Sequence, residues 1–151
     1  MILEFSSLEK NTTQFFNMLP QDWQDIIAPQ WAEFKYSASI YVFKENETII
    51  AGGIVFKNGH PNSTDFENKF NYLYAENYYY IGFLWVIPEK RNQQLASKWL
   101  SKVHGLNSYQ KFWLTIEEAS LRNFYQKNGY KVLAENNELQ PKEFILTYNP
   151  E

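Results

Sequence analysis

Cysteine is absent from all 151 residues, which excludes disulfides, thiolate metal sites and a cysteine nucleophile. Histidine is nearly absent: only His60 and His104 occur, and neither has a His, Cys or acid spaced to share a metal, so none is expected. His60 lies in Asn58-Gly59-His60-Pro61 and reads as part of a surface turn. His104 closes an apolar-periodic stretch, where a helix dipole would favour an imidazolium. Long apolar runs are missing as well. The longest, Tyr78 to Ile87, is half the ~20 residues a membrane helix needs. Met1 to Lys10 shows no basic region leading into an apolar stretch and a small-residue cleavage site, so no secretory leader is expected. A basic run is lacking too, and the formal charge is −3, which argues against nucleic acid or an anionic membrane as partner. The expected setting is cytoplasmic.

What the chain has in abundance is rings. Aromatics make up 19% of it, as 12 Phe, 11 Tyr and 5 Trp, each able to bury a large area. With 44% hydrophobic and 21% charged residues, the composition is that of a globular chain, and the length suits a single domain over residues 1–151.

Periodicity supplies the elements. Ile2 to Phe5 reads as an opening strand. Asn11, Thr12 and Thr13 offer caps for a short helix carrying Phe15, Phe16, Met18 and Leu19. A second short helix carries Trp23, Ile26 and Ile27 and is expected to end at Pro29. Ser39 to Lys44 and Thr48 to Lys57 form a hairpin around Glu45-Asn46-Glu47, with Gly52-Gly53 marking a bulge or a close backbone contact. After a polar and aromatic connection with a short helix near Asp65 to Phe70, Tyr78 to Val86 is the clearest strand. A helix from about Asn92 to His104 follows, stopped by Gly105. Lys111 to Ile116 is a strand, Ala119 to Asn128 a helix ended by Gly129, and Tyr130 to Ala134 with Phe144 to Tyr148 an antiparallel pair.

Chemistry concentrates where the long strand runs through Leu84, Trp85 and Val86 into a Pro88-bounded turn that opens a helix. The first N–H groups of a helix lack internal partners and carry the positive end of its dipole, so they favour an anion, and Arg91 adds a full charge. A pyrophosphate suits such a junction; a plain strand–helix crossover offers something similar, and the residues alone leave both open.

Leu84, Val86, Pro88, Arg91, Leu95, Ala96 and Leu100 resemble motif A of the GNAT (GCN5-related N-acetyltransferase) superfamily. Arg91-Asn92-Gln93-Gln94-Leu95-Ala96 is similar to that family's Gln/Arg-x-x-Gly-x-Gly/Ala signature, and Asn123 to Tyr130 resembles its motif B. The resemblance implies a mixed α/β fold, a central, mostly antiparallel sheet with splayed strands flanked by helices. It also implies acetyl-CoA as cosubstrate and direct transfer of an acetyl or short acyl group to a primary amine. By the same likeness Leu84, Trp85, Val86, Arg91, Asn92, Gln93, Gln94, Leu95, Ala96, Ser97 and Lys127 would hold the cofactor. Tyr125 would act as general acid toward the leaving thiolate. Glu117 is the preferred general base, with Glu76 and Glu118 as other candidates. Two residues depart from the pattern. Gln94 replaces the signature glycine, whose value is expected to be its missing bulk. Glu118 stands where an Asn is common. Both favour the alternative reading, a non-catalytic acyl-CoA-binding or partner-recognition module on the same fold. The acceptor's identity is not legible, and dimers are common in the family, which leaves a homodimer open.

Overall fold

The computed structural model describes residues 3–137 and 142–150. Seven strands form one sheet in the order β1-β2-β3-β4-β5-β7-β6: β1 (Leu3–Ser7), β2 (Ala38–Glu45), β3 (Thr48–Phe56), β4 (Tyr78–Val86), β5 (Lys111–Ile116), β6 (Tyr130–Asn136) and β7 (Glu143–Tyr148). The helices are α1 (Thr13–Phe16), α2 (Gln21–Phe34), α3 (Asp65–Asn68), α4 (Tyr72–Ala75), α5 (Leu95–Leu106) and α6 (Leu121–Lys127). Every strand pair is antiparallel except β4–β5, which the α5 crossover makes parallel. The mixed α/β architecture is therefore the one expected from sequence. The opening strand runs on to Ser7, two residues past its expected end at Phe5, and Ile2 is outside the described residues. Among the described residues no helix is long and apolar enough to cross a membrane.

Period-2 alternation sorts the strand side chains onto two faces. Phe112, Leu114 and Ile116 of β5 join α5 residues Leu95, Trp99, Leu100 and Val103 on one face. Trp113, between them in sequence, packs with Phe15, Phe16, Ile27 and Leu73 on the other. Central β3 is covered on both sides, and this explains its glycine pair. A Cβ on Gly53 would stand 2.8 Å from the Trp99 ring, and one on Gly52 would stand 2.7 Å from Phe15. The hairpin turn places Asn46 and Glu47 both at positive φ, 52° and 72°, as a two-residue type I′ turn requires.

Helix α2 runs through Pro29 to Phe34, whereas the sequence reading ended it there. The proline forgoes one hydrogen bond, but Trp31 stacks edge-on to Phe16 and Phe34 to Phe56 beyond it, so packing carries the helix on. Helix α5 likewise begins three residues later than expected, at Leu95, and passes through Gly105 to Leu106.

The feature that positions the site is a fork. β4 and β5 pair over Tyr78–Tyr80 and Lys111–Trp113, and then separate. Beyond Tyr80, β4 keeps its β3 neighbour, but the register shifts: Ile54 faces Gly82 and Gly52 faces Trp85, so β4 carries one extra residue. Phe83 lies in that bulge at φ 58°. From Ile81 onward the β5-facing edge of β4 therefore has backbone groups with no strand beside them.

Candidate active site

Two clefts open on the fork. The first, about 770 Å³, is walled by Leu84, Trp85 and Val86 of β4, the turn before α5, and Phe124, Tyr125 and Lys127 of α6. Of the residues expected to hold a cofactor, Leu84, Trp85, Val86, Arg91, Asn92, Gln94, Leu95, Ala96, Ser97 and Lys127 all line it. Gln93, exposed in the same turn, does not. Arg91 is held in place from two sides: its Nε donates to the Val86 carbonyl at 3.0 Å, and its guanidinium lies 4.5 Å from the Trp85 ring centroid. Lys90 pairs with Glu45 at 2.8 Å. Asn128 donates to Ser97 Oγ at 3.2 Å and to the Phe124 carbonyl at 2.9 Å, which ties the end of α6 to the first turn of α5.

Gln94 is the N-cap of α5 and sits at φ 61°, ψ 26°, with no side-chain cap on the helix. Asn92 is also left-handed, at φ 65°. The demand at the signature-glycine position is thus one of backbone conformation first, and not of bulk alone as the sequence suggested. Gln94 still performs the N-cap's backbone role, since Lys98 N–H donates to its carbonyl at 3.0 Å.

The second cleft, about 620 Å³, lies across the fork on the α2 side. Trp23 and Ile26 of α2, Phe83 and Trp85 of β4, and Leu121 and Tyr125 form its apolar walls. Glu117 and Glu118 stand at its rim, exposed; Glu76, the C-cap of α4, lines neither cleft. Leu84, Trp85, Leu121 and Tyr125 are common to both clefts, so Tyr125 stands where they meet. Burial pushes its phenol up to about 12, and its ring packs against Phe124 and Tyr130.

Beneath the second cleft lies a network that sequence reasoning missed. Glu67, 5% exposed, receives Thr64 N–H at 3.0 Å on one oxygen. Its other oxygen accepts Thr115 Oγ1 at 2.6 Å and the Tyr80 hydroxyl at 2.9 Å, with His60 Nε2 at 3.3 Å. Burial alone would raise this carboxyl, but His60, Thr115 and the Thr64 amide outweigh it and hold it at about 2. Burial and the adjacent Glu67 charge push the Tyr80 phenol well up, so it stays a donor. His60 is therefore not a residue of an open turn. It is buried, stacked on Tyr80 at 3.6 Å, and bonded through Nδ1 to the Tyr74 hydroxyl at 2.6 Å. Thr64-x-x-Glu67 is legible as a capping box, and it does cap α3. That pattern gives no hint that Glu67 also bridges β4 and β5 at the fork.

His104 belongs to the opposite face. It stacks on Tyr148 at 3.8 Å and its Nε2 lies 2.8 Å from the Tyr130 hydroxyl; burial lowers it to about 4, so it is neutral instead of the imidazolium expected at a helix end.

A sequence model of the acetyltransferase (GNAT) family matches residues 6–130. No curated protein matches the chain. Among solved structures, the ribosomal-protein-S18-alanine N-acetyltransferase from Escherichia coli is similar with a TM-score of 0.72 at 12% identity, over 99% of this chain and 95% of that one. A GNAT family acetyltransferase from Elizabethkingia anophelis with acetyl-CoA bound has a TM-score of 0.62 at 14% identity, over 97% of each chain. The PaiA N-acetyltransferase from Thermoplasma acidophilum, in complex with coenzyme A, has a TM-score of 0.62 at 15% identity, over 99% of each. At such identities the likeness speaks for the fold; the family match spans most of the sequence, and the chain belongs to the GNAT acetyltransferase family.

Proposed function

We propose that this protein transfers an acetyl, or another short acyl group, from its coenzyme A thioester to a primary amine by direct attack. The observation that carries this reading is the meeting of two clefts at Tyr125, one supplied with cations and the other with carboxylates. The first cleft fits coenzyme A chemically. Arg91 and Lys127 offer charge to phosphates, Lys90 being paired with Glu45, while Leu84, Val86, Leu121 and Phe124 offer an apolar wall to a pantetheine chain. Acetyl-CoA, when bound, supplies an activated acyl carbon.

The chain's own residues would then act in three places. Backbone N–H groups of β4 beyond its last rung with β5, around the bulge at Phe83 and Leu84, would donate to the carbonyl oxygen as charge builds on it. Glu117 at the rim would take the proton that the ammonium must lose, directly or through water. Tyr125, kept protonated at neutral pH, would donate to the departing sulfur. A C–N bond forms and the C–S bond breaks; of the two protons the ammonium nitrogen loses on becoming an amide, one leaves by Glu117 and the other replaces the proton that Tyr125 gives to the departing sulfur.

Calorimetry with acetyl-CoA tests the cofactor half: saturable binding is expected, and Arg91→Glu should abolish it. Thiol release on adding amines tests the other. Tyr125→Phe should lower kcat about 10²–10³-fold while leaving acetyl-CoA affinity within about 3-fold. Saturable binding without thiol release from any amine would turn the reading to a coenzyme-A-binding module.

A further inference from the structure

The two clefts carry opposite charge. Lys90, Arg91 and Lys127 line the first with no acid, whereas Glu67, Glu117, Glu118 and Glu143 line the second with no Lys or Arg. These four carboxylates are not equivalent. Glu67 is satisfied by the donors described above. Glu117 and Glu118 are exposed. Glu143 is different: it is only 5% exposed, and among the described residues its one hydrogen bond is from Thr64 Oγ1 to Oε2 at 2.8 Å, leaving Oε1 without a partner. The β5–β7 register ends where Ile116 pairs with Phe144, so Glu117 and Glu143 both lie at that end of the two strands, near enough for the Glu117 charge to act on Glu143. Like charges held close repel, and a carboxylate largely withdrawn from water with one neutral donor is poorly compensated. Burial first, and then Glu67 and Glu117, push the Glu143 carboxyl above its ordinary range.

We infer that the acceptor amine carries a second positive charge, as a small diamine or polyamine does, and that Glu143 holds this distal ammonium while the other amino group is presented at Tyr125. The inference rests on reading the fork as the acyl-transfer centre. A cation between Glu143 and Glu117 would relieve their repulsion and occupy the free Oε1. Trp23 stands edge-on to Trp85 at 5.5 Å and to Phe83 at 5.8 Å, so these rings offer apolar surface to methylenes and ring faces to a cation. Because Glu117 and Glu143 lie at the same end of β5 and β7, a short spacer is favoured.

The test is calorimetric titration of the CoA-loaded protein with 1,4-diaminobutane, butylamine and 4-amino-1-butanol, followed by diamines of two to five carbons. The diamine should bind about 10- to 100-fold more tightly than either monoamine, the span of one charge-assisted hydrogen bond. Glu143→Gln, checked for folding by circular dichroism, should reduce the diamine to the monoamine level, whereas Glu118→Gln at the exposed rim should change the ratio by less than about 3-fold. Equal binding of diamine and monoamine by the wild type overturns the inference without any variant. So does an advantage that survives Glu143→Gln, or one lost equally in Glu118→Gln. Butylamine releasing thiol as well as the diamine would keep acyl transfer and overturn the diamine assignment. Tight, Glu143-dependent diamine binding without thiol release would keep the assignment and remove the enzyme reading.

Discussion

Gln94 shows what a family signature means in physical terms. A left-handed conformation costs a residue with a side chain roughly 1–2 kcal/mol, which glycine escapes. Gln94 pays that penalty at φ 61°, and does so in the wall of the first cleft. Gln94→Gly should therefore raise stability by about 0.5–1 kcal/mol after the added freedom of the unfolded chain is subtracted, read as a higher urea midpoint. If the side chain also narrows the cleft, the same variant should bind acetyl-CoA more tightly; an unchanged or lower midpoint would count against strain at this residue. His104 offers a second residue-scale test. Its folded value of about 4 lies below the ordinary 6.5 because of burial. Between those two values the unfolded chain binds more protons than the native one, so stability falls as pH drops from about 6.5 toward 4. Discounted for partial exposure, the effect is roughly 1–2 kcal/mol. Subtracting the pH dependence of His104→Phe from that of the wild type, both by urea denaturation, should isolate it; identical slopes would show that His104 titrates normally.

At the scale of elements, the glycine pair in β3 separates packing from binding. Gly53 lies under Trp99 of α5, and Gly52 under Phe15 of α1 on the other face. Alanine at either position overpacks the core, with an expected loss of about 1–3 kcal/mol. On the proposed placement of coenzyme A in the first cleft, only Gly53→Ala should also weaken acetyl-CoA binding, because it displaces the helix whose first turn lines that cleft. Equal affinity in the two variants, measured well below their melting temperatures, would mean that α5 absorbs the added methyl. The same elements show what could be read from sequence. β4 and β5 matched their expected bounds because both are dense in β-branched and aromatic residues, and the motif around Arg91 is local. The end of α2 was misjudged because the rings that sustain it past Pro29, Phe16 and Phe56, are distant in sequence. The Glu67 network escaped for the same reason. Thr115 is 48 positions from Glu67, and Glu143 is 79 from Thr64, so no periodicity records either contact.

For the molecule as a whole, the fork is both the site and the weakest seam of the sheet. β3 and β4 pair over most of their length, whereas β4 and β5 share three rungs, and side chains such as Glu67 do the rest of the joining. The first cleft, where coenzyme A is proposed to bind, draws its walls from β4, α5 and α6, so a ligand there touches elements from both sides of that seam. Binding should then tighten the molecule unevenly. At acetyl-CoA concentrations near 100 times Kd, linkage gives about 2.7 kcal/mol of stabilisation, a rise in Tm of roughly 5–11 °C for a chain of this size. Amide hydrogen exchange should locate it: protection is expected to grow across Ile81 to Val86 and Leu95 to Trp99, while β1 and β2, remote from the cleft, should change little. A uniform increase over all strands would instead mean that exchange reports only global unfolding, with the fork already as firm as the rest of the sheet. Arg91→Glu should abolish both the thermal shift and the local protection; if either persisted in that variant, coenzyme A would be held somewhere other than the mouth of α5.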